Sequence, residues 1–264
     1  MYGRSKVIAI ANQKGGVGKT TTSTNLAAAL ATLGKKTLII DLDPQGNATS
    51  SFGISSEKRQ FGIYQLLFND ANIDNAIQTT GIQNLDIITS DVNLSAAELE
   101  LVGRSRREYI LSGIIANIKN YEYIVIDCPP SLGLLTVNAL VAANNLLVPM
   151  QCEFYSLEGL SNLLRTVDLI QKNLNKNLFI SGILLTMYDK RNRLTDQVEA
   201  DVRNCLGNLV FRTIIPRNVR VSEAPSHGLP VIIYDNKSMG AMKYLELTEE
   251  ILNDRRLRCQ LVEA

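Results

Sequence analysis

Short, almost entirely apolar runs alternate along the chain with longer segments of helical periodicity, and this alternation constrains the fold more than any other feature. Runs without a polar face are typical of strands that are covered on both sides, as in a parallel sheet. The sequence therefore predicts an α/β fold built from successive strand–helix–strand units. The predicted strands are residues 7–11, 37–41, 85–89, 123–127, 146–149, 180–185, 212–215 and 231–233.

The longer segments carry apolar residues at the spacing of one helix face. Gly34 follows the first of them, where a left-handed residue commonly ends a helix. Residues 51–84 hold few strong core signals and are predicted to pass over one edge of the sheet. No repeat or linker divides the chain, so residues 1–264 are predicted to form one domain, with 253–264 as a solvated helix end or tail. The predicted helices are residues 20–33, 95–118, 134–143, 157–173, 195–206 and 239–252.

The overall composition indicates a compartment but no partner. The 264 residues are 45% apolar and 20% charged, which is ordinary for a globular protein with a substantial core. The net charge of +1 indicates neither nucleic acid nor membrane, so any basic surface must be local. Four widely spaced cysteines favour free thiols, and no apolar run is long enough for a signal peptide or a membrane span. We therefore expect a cytoplasmic protein without stable membrane association.

A glycine-rich segment lies between the first predicted strand and the first predicted helix. Glycines let successive backbone N–H groups turn toward a phosphate, and the following helix adds the positive end of its dipole. Lys19 is predicted to pair with the β- and γ-phosphates of a nucleotide, and Thr20 to ligate Mg²⁺. The alternative is a chance glycine-rich turn, which the strand–loop–helix order disfavours. The predicted phosphate loop is Lys14-Gly15-Gly16-Val17-Gly18-Lys19-Thr20-Thr21.

Carboxylates follow two other predicted strands. Asp41 and Asp43 lie on the same side of an extended chain that turns at Pro44, and Asp127 ends a run of four apolar residues. Ligands of parallel α/β sheets bind beyond the carboxyl ends of the strands, where these residues lie. They are predicted to hold Mg²⁺ or to orient an attacking water, although a polar strand exit is the simpler alternative. Cys128 is interpreted as a small packed residue rather than a nucleophile.

The phosphate loop departs from the ordinary pattern, because Gln13 replaces its first glycine and a second lysine opens it. This form resembles the deviant Walker A ATPases. Together with further motifs, the sequence resembles the ParA/Soj family of chromosome- and plasmid-partitioning ATPases over about residues 5–252. That resemblance implies a single-domain P-loop NTPase fold with helices on both faces of the sheet. The motifs are residues 11–20, Asp41-Leu42-Asp43-Pro44-Gln45-Gly46-Asn47, Asp127-Cys128-Pro129-Pro130-Ser131, Gln151-Cys152-Glu153 and residues 215–226.

The resemblance also implies a mechanism. ATP with Mg²⁺ closes a homodimer that binds double-stranded DNA without sequence preference, and a ParB/Spo0J-type centromere-binding protein stimulates hydrolysis. The protein would then be associated with the nucleoid. In this family the first lysine of the loop reaches the partner's phosphates, and the adjacent glycine must stay small for the dimer to close. Those two residues correspond to Lys14 and Gly15.

Individual residues acquire roles from the same resemblance. Lys14, Lys19 and Asp43 are the expected catalytic residues, with Asp43 as the hydrolytic aspartate. Thr20, Asp43 and Asp127 are the expected Mg²⁺ ligands. The adenine is expected beside Pro216 and Asn218, and DNA contacts are expected from Arg191 and Arg220, although a solvated basic loop is the alternative for Arg191. Because the chain starts at its first strand, we do not expect an N-terminal operator-binding extension.

Two other functions fit the same scaffold. A membrane-associated positioning ATPase, like the MinD branch, would need an amphipathic C-terminal helix with large apolar residues. Residues 253–261 offer three arginines and two leucines but no aromatic residue. A metabolic enzyme or an iron–sulfur reductase is the second alternative. Such a reductase needs cysteines that face each other across a dimer, and Cys128 and Cys152 do not match that pattern.

Overall fold

The computed structural model describes residues 5–68, 71–153 and 156–254, and a seven-stranded sheet runs through them. All neighbouring strands are parallel except β3 and β4, which are antiparallel. The predicted α/β class and mostly parallel sheet are therefore confirmed. Across the sheet the order is β3-β4-β2-β5-β1-β6-β7. The strands are β1 (Lys6–Ile10), β2 (Thr37–Asp41), β3 (Ile77–Thr79), β4 (Leu85–Ile88), β5 (Tyr123–Asp127), β6 (Asn145–Gln151) and β7 (Phe179–Thr186).

Both faces of the sheet are covered, which explains why its central strands are apolar throughout. In β1, Val7 and Ala9 face one hydrophobic core, whereas Ile8 and Ile10 face the other. Every residue of β2 and β5 is buried. Because successive side chains of a strand point to opposite faces, only a strand with two apolar faces can lie between two helical layers.

Twelve α-helices, several of them a single turn, occupy the described parts of the chain. Within those parts, no helix combines the length and the apolar character that crossing a bilayer requires. They are α1 (Lys19–Thr32), α2 (Asn47–Ser50), α3 (Ile63–Phe68), α4 (Ile73–Ala76), α5 (Leu94–Val102), α6 (Ile110–Ala116), α7 (Leu134–Ala142), α8 (Ser156–Asn173), α9 (Arg193–Leu206), α10 (Val219–Glu223), α11 (Val231–Tyr234) and α12 (Met239–Asn253).

Three predicted elements were wrong. Residues 231–233 begin a one-turn helix, α11, because a short buried apolar run fits either a strand or a helix turn. Residues 212–215 are not a strand, since the Glu250 carboxylate accepts hydrogen bonds from the amides of Arg212 (2.8 Å) and Thr213 (3.0 Å). The predicted helix 95–118 is divided into α5 and α6, because Arg106 is left-handed (φ 51°) and a 3₁₀ turn follows it.

Residues 51–84 do pass over a sheet edge, as predicted, but they contribute more than a surface excursion. They supply β3, which pairs antiparallel with β4 and was not predicted. Ile63, Leu66 and Leu67 of α3 and Ala76 of α4 are buried in one core, contrary to the expectation of few core residues. The signal was missed because α4 and β3 are only four and three residues long.

We expect two glycines to respond in opposite directions to the same added methyl group. In β7, a Cβ on Gly182 would lie 2.7 Å from the Phe211 ring, so Gly182→Ala should destabilise the protein by about 1–3 kcal/mol. Gly113 of α6 is exposed and has open space around it, so Gly113→Ala should stabilise by about 0.4–1 kcal/mol. Urea unfolding of both variants measures the difference. A Gly182→Ala variant as stable as Gly113→Ala would contradict the close packing of β7 against Phe211.

Candidate nucleotide-binding site

The loop between β1 and α1 has the backbone that the glycine pattern predicts. Gly16 (φ 71°) and Gly18 (φ 83°) are both left-handed, a conformation that other residues adopt only with strain. Gly18 is the N-cap of α1, and no side chain caps this helix. The first amides of α1 are therefore left to bind an anion, and the helix dipole favours negative charge at the same point.

Residues of β6 and β7 and the end of β1 hold this loop in place. The Asn12 amide donates to a backbone carbonyl of β6 (2.8 Å), and its oxygen accepts from the first amide of the loop (3.0 Å). The Gln151 amide donates to the carbonyl of Gly16 (3.0 Å), and the Thr186 hydroxyl donates to that of Val17 (2.8 Å). The sequence motifs contained Asn12 and Gln151, but nothing in the pattern assigned them this supporting role.

The two lysines of the loop occupy different environments. Lys19 is buried, and its Nζ donates to the carbonyl of Lys14 (3.0 Å). Burial lowers the pKa of Lys19, and the carboxylates of Asp127 and Asp43 oppose that shift. Lys14 is partly exposed, and its Nζ forms an ion pair with Glu153 (2.5 Å). The Lys19 ammonium is thus held by its own loop, whereas that of Lys14 pairs with a residue outside the loop.

Asp127 provides the clearest indication of a cation site. Its Oδ1 accepts a hydrogen bond from Ser23 (2.8 Å), whereas its buried Oδ2 has no hydrogen-bond partner among the described residues. Burial raises the pKa of Asp127, as does the nearby Asp41, whereas hydrogen bonds from Ser23 and Thr20 oppose the shift. An unpaired buried carboxylate oxygen beside a threonine hydroxyl fits Mg²⁺, which takes oxygen ligands and would neutralise phosphate charge when bound.

The second acidic segment ends beside the first. Asp41 is in register with Asp127 across the β2–β5 pair, which brings the carboxyl ends of both strands together. Asp43 is also buried, and its Oδ1 accepts from the amide of Gln45 (3.0 Å). The structure therefore gathers Asp43, Asp127 and Lys19 at one edge of the sheet, as the sequence predicts. Their individual roles in binding and hydrolysis stay predictions.

A cavity of about 240 Å³ adjoins the loop on the side of α12. Its lining includes Gly18 and Thr21 of the phosphate-loop region, Tyr244 of α12, and the predicted adenine residues Pro216 and Asn218. Asn218 also caps α10, since its side chain accepts from the amide three residues later. The structure places the two predicted residues next to the phosphate loop, where the base of a nucleotide would extend, and their contact with adenine stays a prediction.

The two predicted DNA-contact arginines lie on adjoining segments outside this cavity. An isolated parallel bridge joins Tyr188 to Pro216, which brings the loop before α9 next to the one before α10. Arg191 is highly exposed and pairs with Asp189 through two guanidinium nitrogens, at 2.9 and 2.8 Å. Arg220 pairs with Glu223 (2.9 Å) and lies 3.4 Å from an oxygen of Asp235. Glu223 belongs to the motif at residues 215–226, but its pairing with Arg220 was not predicted, nor was that of Asp189 with Arg191.

Comparisons with known proteins agree with this geometry. A family model described as "AAA domain" matches residues 5–180. The sporulation initiation inhibitor protein Soj of Bacillus subtilis is 53% identical over 247 residues, which are 93% of this chain and 98% of that protein. The chain belongs to the ParA/Soj family of partitioning ATPases. The chromosome partitioning protein ParA of Caulobacter vibrioides is 49% identical over 96% of each chain.

A solved structure extends the comparison to ligands. A cobyrinic acid a,c-diamide synthase of Mycobacterium smegmatis, determined with ADP and magnesium, has a TM-score of 0.83 and 35% identity over 96% of each chain. The ATP and Mg²⁺ predicted for this chain agree with the ADP and magnesium bound in that structure. Burial raises the pKa of the Cys128 thiol, which agrees with its interpretation as a packed residue rather than a nucleophile.

Substitution of the two loop lysines should lower ATP affinity to different extents. Lys19→Ala removes a buried cation from the predicted phosphate position, so ATP affinity should fall about 10- to 100-fold. Lys14→Ala removes a group that pairs with Glu153 within the subunit, so the ATP affinity of the single subunit should change by less than about threefold. Titration of Mg²⁺-ATP against each purified variant measures both. Equal losses of affinity would remove the reason for assigning the two lysines different roles.

Proposed function

We propose that this chain is an ATP-driven dimerising switch that binds DNA without sequence preference and partitions a chromosome or plasmid with a ParB/Spo0J-type partner. Family membership supports the partitioning role, because Soj and ParA relatives match nearly the whole chain. The proposed localisation is cytoplasmic and nucleoid-associated. The membrane-associated alternative depends on the C-terminal segment, and residues 255–264 of that segment lie outside the described residues.

The environment of Lys14 is the observation that carries the proposal. A partly exposed lysine beside a phosphate loop that already contains Lys19 has no evident task within its own subunit. Its pairing with the exposed Glu153 is weak, because an ion pair in solvent contributes only about 0–1 kcal/mol. The phosphates of a second subunit's nucleotide would offer more charge and better geometry. When two copies associate, Lys14 would leave Glu153 and pair with the phosphates of the ATP bound to the other subunit.

Within one subunit, the gathered residues divide the work of hydrolysis. The loop amides and Lys19 hold the β- and γ-phosphates, and Thr20 with Asp127 holds Mg²⁺. Asp43 orients the attacking water and accepts its proton, because its buried carboxylate lies at the same edge as Lys19 and Asp127. Closure of the dimer excludes solvent from the phosphates, which strengthens each of these interactions.

Two substitutions should separate formation of the dimer from hydrolysis of ATP. Asp43→Ala should bind ATP and dimerise while hydrolysis falls at least about a hundredfold, because the water loses its orienting group. Gly15→Val should bind ATP but stay monomeric. A Cβ on Gly15 would lie 4.0 Å from the nearest atom, in Pro130, so the subunit itself tolerates a side chain there.

Size-exclusion chromatography with Mg²⁺-ATP, combined with phosphate release, reads out both variants. Thermal unfolding without nucleotide serves as the control that each variant is folded. A monomeric Asp43→Ala or a dimeric Gly15→Val would contradict the assignment of these two residues.

The proposed DNA surface is basic only locally. Residues 186–245 hold nine basic and six acidic side chains, a small surplus. Arg191 and Arg220 also carry carboxylate partners, so DNA phosphates must displace Asp189 and Glu223. One subunit therefore offers few phosphate contacts, and two subunits on a common face would double them. Binding that depends on the dimer would depend on ATP, since ATP forms the dimer.

Substituting the two partners of the Arg191–Asp189 ion pair should change DNA affinity in opposite directions. Arg191→Ala and Arg220→Ala should each weaken binding and reduce the log–log salt slope by about 0.9 for every DNA phosphate that the variant no longer neutralises. Asp189→Asn keeps the side-chain acceptor for the Arg191 amide but removes the competing charge, so it should tighten binding. Fluorescence anisotropy with Mg²⁺-ATP, on duplexes of unrelated sequence and over a salt series, measures each effect. Tight binding without nucleotide, or unchanged affinity in both arginine variants, would overturn the proposed DNA surface.

A further inference from the structure

The turn that carries Asp43 is tied to the sheet by hydrogen bonds from two buried hydroxyl residues, Thr49 and Ser90. Thr49 is on α2, and Ser90 lies two residues beyond the end of β4. Both are essentially inaccessible to solvent. A buried hydroxyl without a partner is unfavourable, so the bonds that each of these hydroxyls makes are informative.

Thr49 connects the Asp41 carboxylate to the segment after β4. Its amide (2.8 Å) and its hydroxyl (2.6 Å) both donate to Oδ2 of Asp41. The same hydroxyl oxygen accepts a hydrogen bond from the backbone amide of Ser90 (3.0 Å). The single hydroxyl of Thr49 therefore acts as donor and acceptor at once.

Ser90 and Asp41 both form hydrogen bonds with the backbone of Asp43. The Ser90 hydroxyl donates to the carbonyl of Asp43 (2.7 Å), and Oδ1 of Asp41 accepts from the amide of Asp43 (3.2 Å). The carbonyl of Asp43 also accepts from the amide of Gly46, which is a bond within the turn itself. Ser90 differs because it comes from another strand, so it sets the turn relative to the sheet.

The peptide groups on both sides of the Asp43 Cα are thus anchored from outside the turn. Anchoring both groups restricts φ and ψ of Asp43 and with them the direction of its side chain. The Asp43 carboxylate is further restrained by the amide of Gln45. A displacement of about 1 Å in a group that orients a reactant can lower a rate about a hundredfold.

We propose that Thr49 and Ser90 are positioning residues for hydrolysis, acting through the backbone of Asp43 and without touching the nucleotide. This inference rests on the proposed function, in which Asp43 orients the attacking water. Both residues act on the chemical step, and neither belongs to the phosphate loop, the adenine cavity or the predicted Mg²⁺ ligands.

The test compares turnover with binding in variants that remove one hydroxyl. Thr49→Val keeps the branched shape, and Ser90→Ala removes a single donor. In each, kcat for ATP should fall about 10- to 100-fold, while KM and ATP-driven dimerisation stay within about twofold of the unaltered protein. Thr49→Ser restores the hydroxyl and should recover most of kcat. Thr248→Val is the matched control, since Thr248 is equally buried on α12 and its hydroxyl bonds only within that helix.

Adding Thr49→Val to Asp43→Ala distinguishes positioning from general destabilisation. If Thr49 acts through Asp43, the double variant should hydrolyse ATP as slowly as Asp43→Ala alone. The inference would be overturned if the double variant lost the product of the two single losses in rate. A raised KM in both single variants, or no recovery of kcat in Thr49→Ser, would also overturn it. Full turnover in Thr49→Val and Ser90→Ala would overturn it while leaving the proposed function intact. Full turnover in Asp43→Ala would instead refute the proposed role of Asp43.

Discussion

The close approach of buried charges at the carboxyl edge of the sheet is the constraint that shapes the surrounding structure. Asp41, Asp43 and Asp127 lie near one another, and Lys19 is the buried cation beside them. Burying several like charges is unfavourable unless each is hydrogen-bonded or paired. Asp41 is satisfied by Thr49 and by the amide of Asp43, whereas one oxygen of Asp127 has no partner in the described part of the chain. One buried carboxylate oxygen is therefore left for a ligand, and a divalent cation would pair with it.

The same reasoning explains how one small ligand could control association of two subunits. A ligand shifts an equilibrium only through its different interaction with the two states. The loop amides and Lys19 would contact phosphate in either state, so they supply affinity without favouring the dimer. Lys14 would favour the dimer, because in the single subunit it has only an exposed partner, Glu153. The two lysines are five residues apart and differ in both burial and partner.

At the proposed DNA surface, DNA phosphates would likewise replace the carboxylate partners of Arg191 and Arg220. The ion pairs of Arg191 and Arg220 hold both guanidinium groups on adjoining segments while reducing the net positive potential. In the proposed mechanism, such a surface would attract DNA weakly as a single copy and more strongly when two copies are brought together. Dissociation of the proposed dimer would then release the DNA.

The mostly parallel sheet and the backbone conformation of the phosphate loop could be predicted from the sequence, because they depend on local rules. The apolar runs of β2 and β5 are typical of strands buried on both faces, and the glycines of the loop adopt conformations that other residues adopt only with strain. Features that depend on contacts distant in the chain emerged only from the folded structure. The Glu250 carboxylate accepts hydrogen bonds from the amides of Arg212 and Thr213, which a neighbouring strand would otherwise bind. The Ser90 hydroxyl donates to the carbonyl of Asp43, which lies 47 positions earlier in the chain. A serine after a strand is ordinary in sequence, and its role arises only because the register of β2 and β4 places it against that turn.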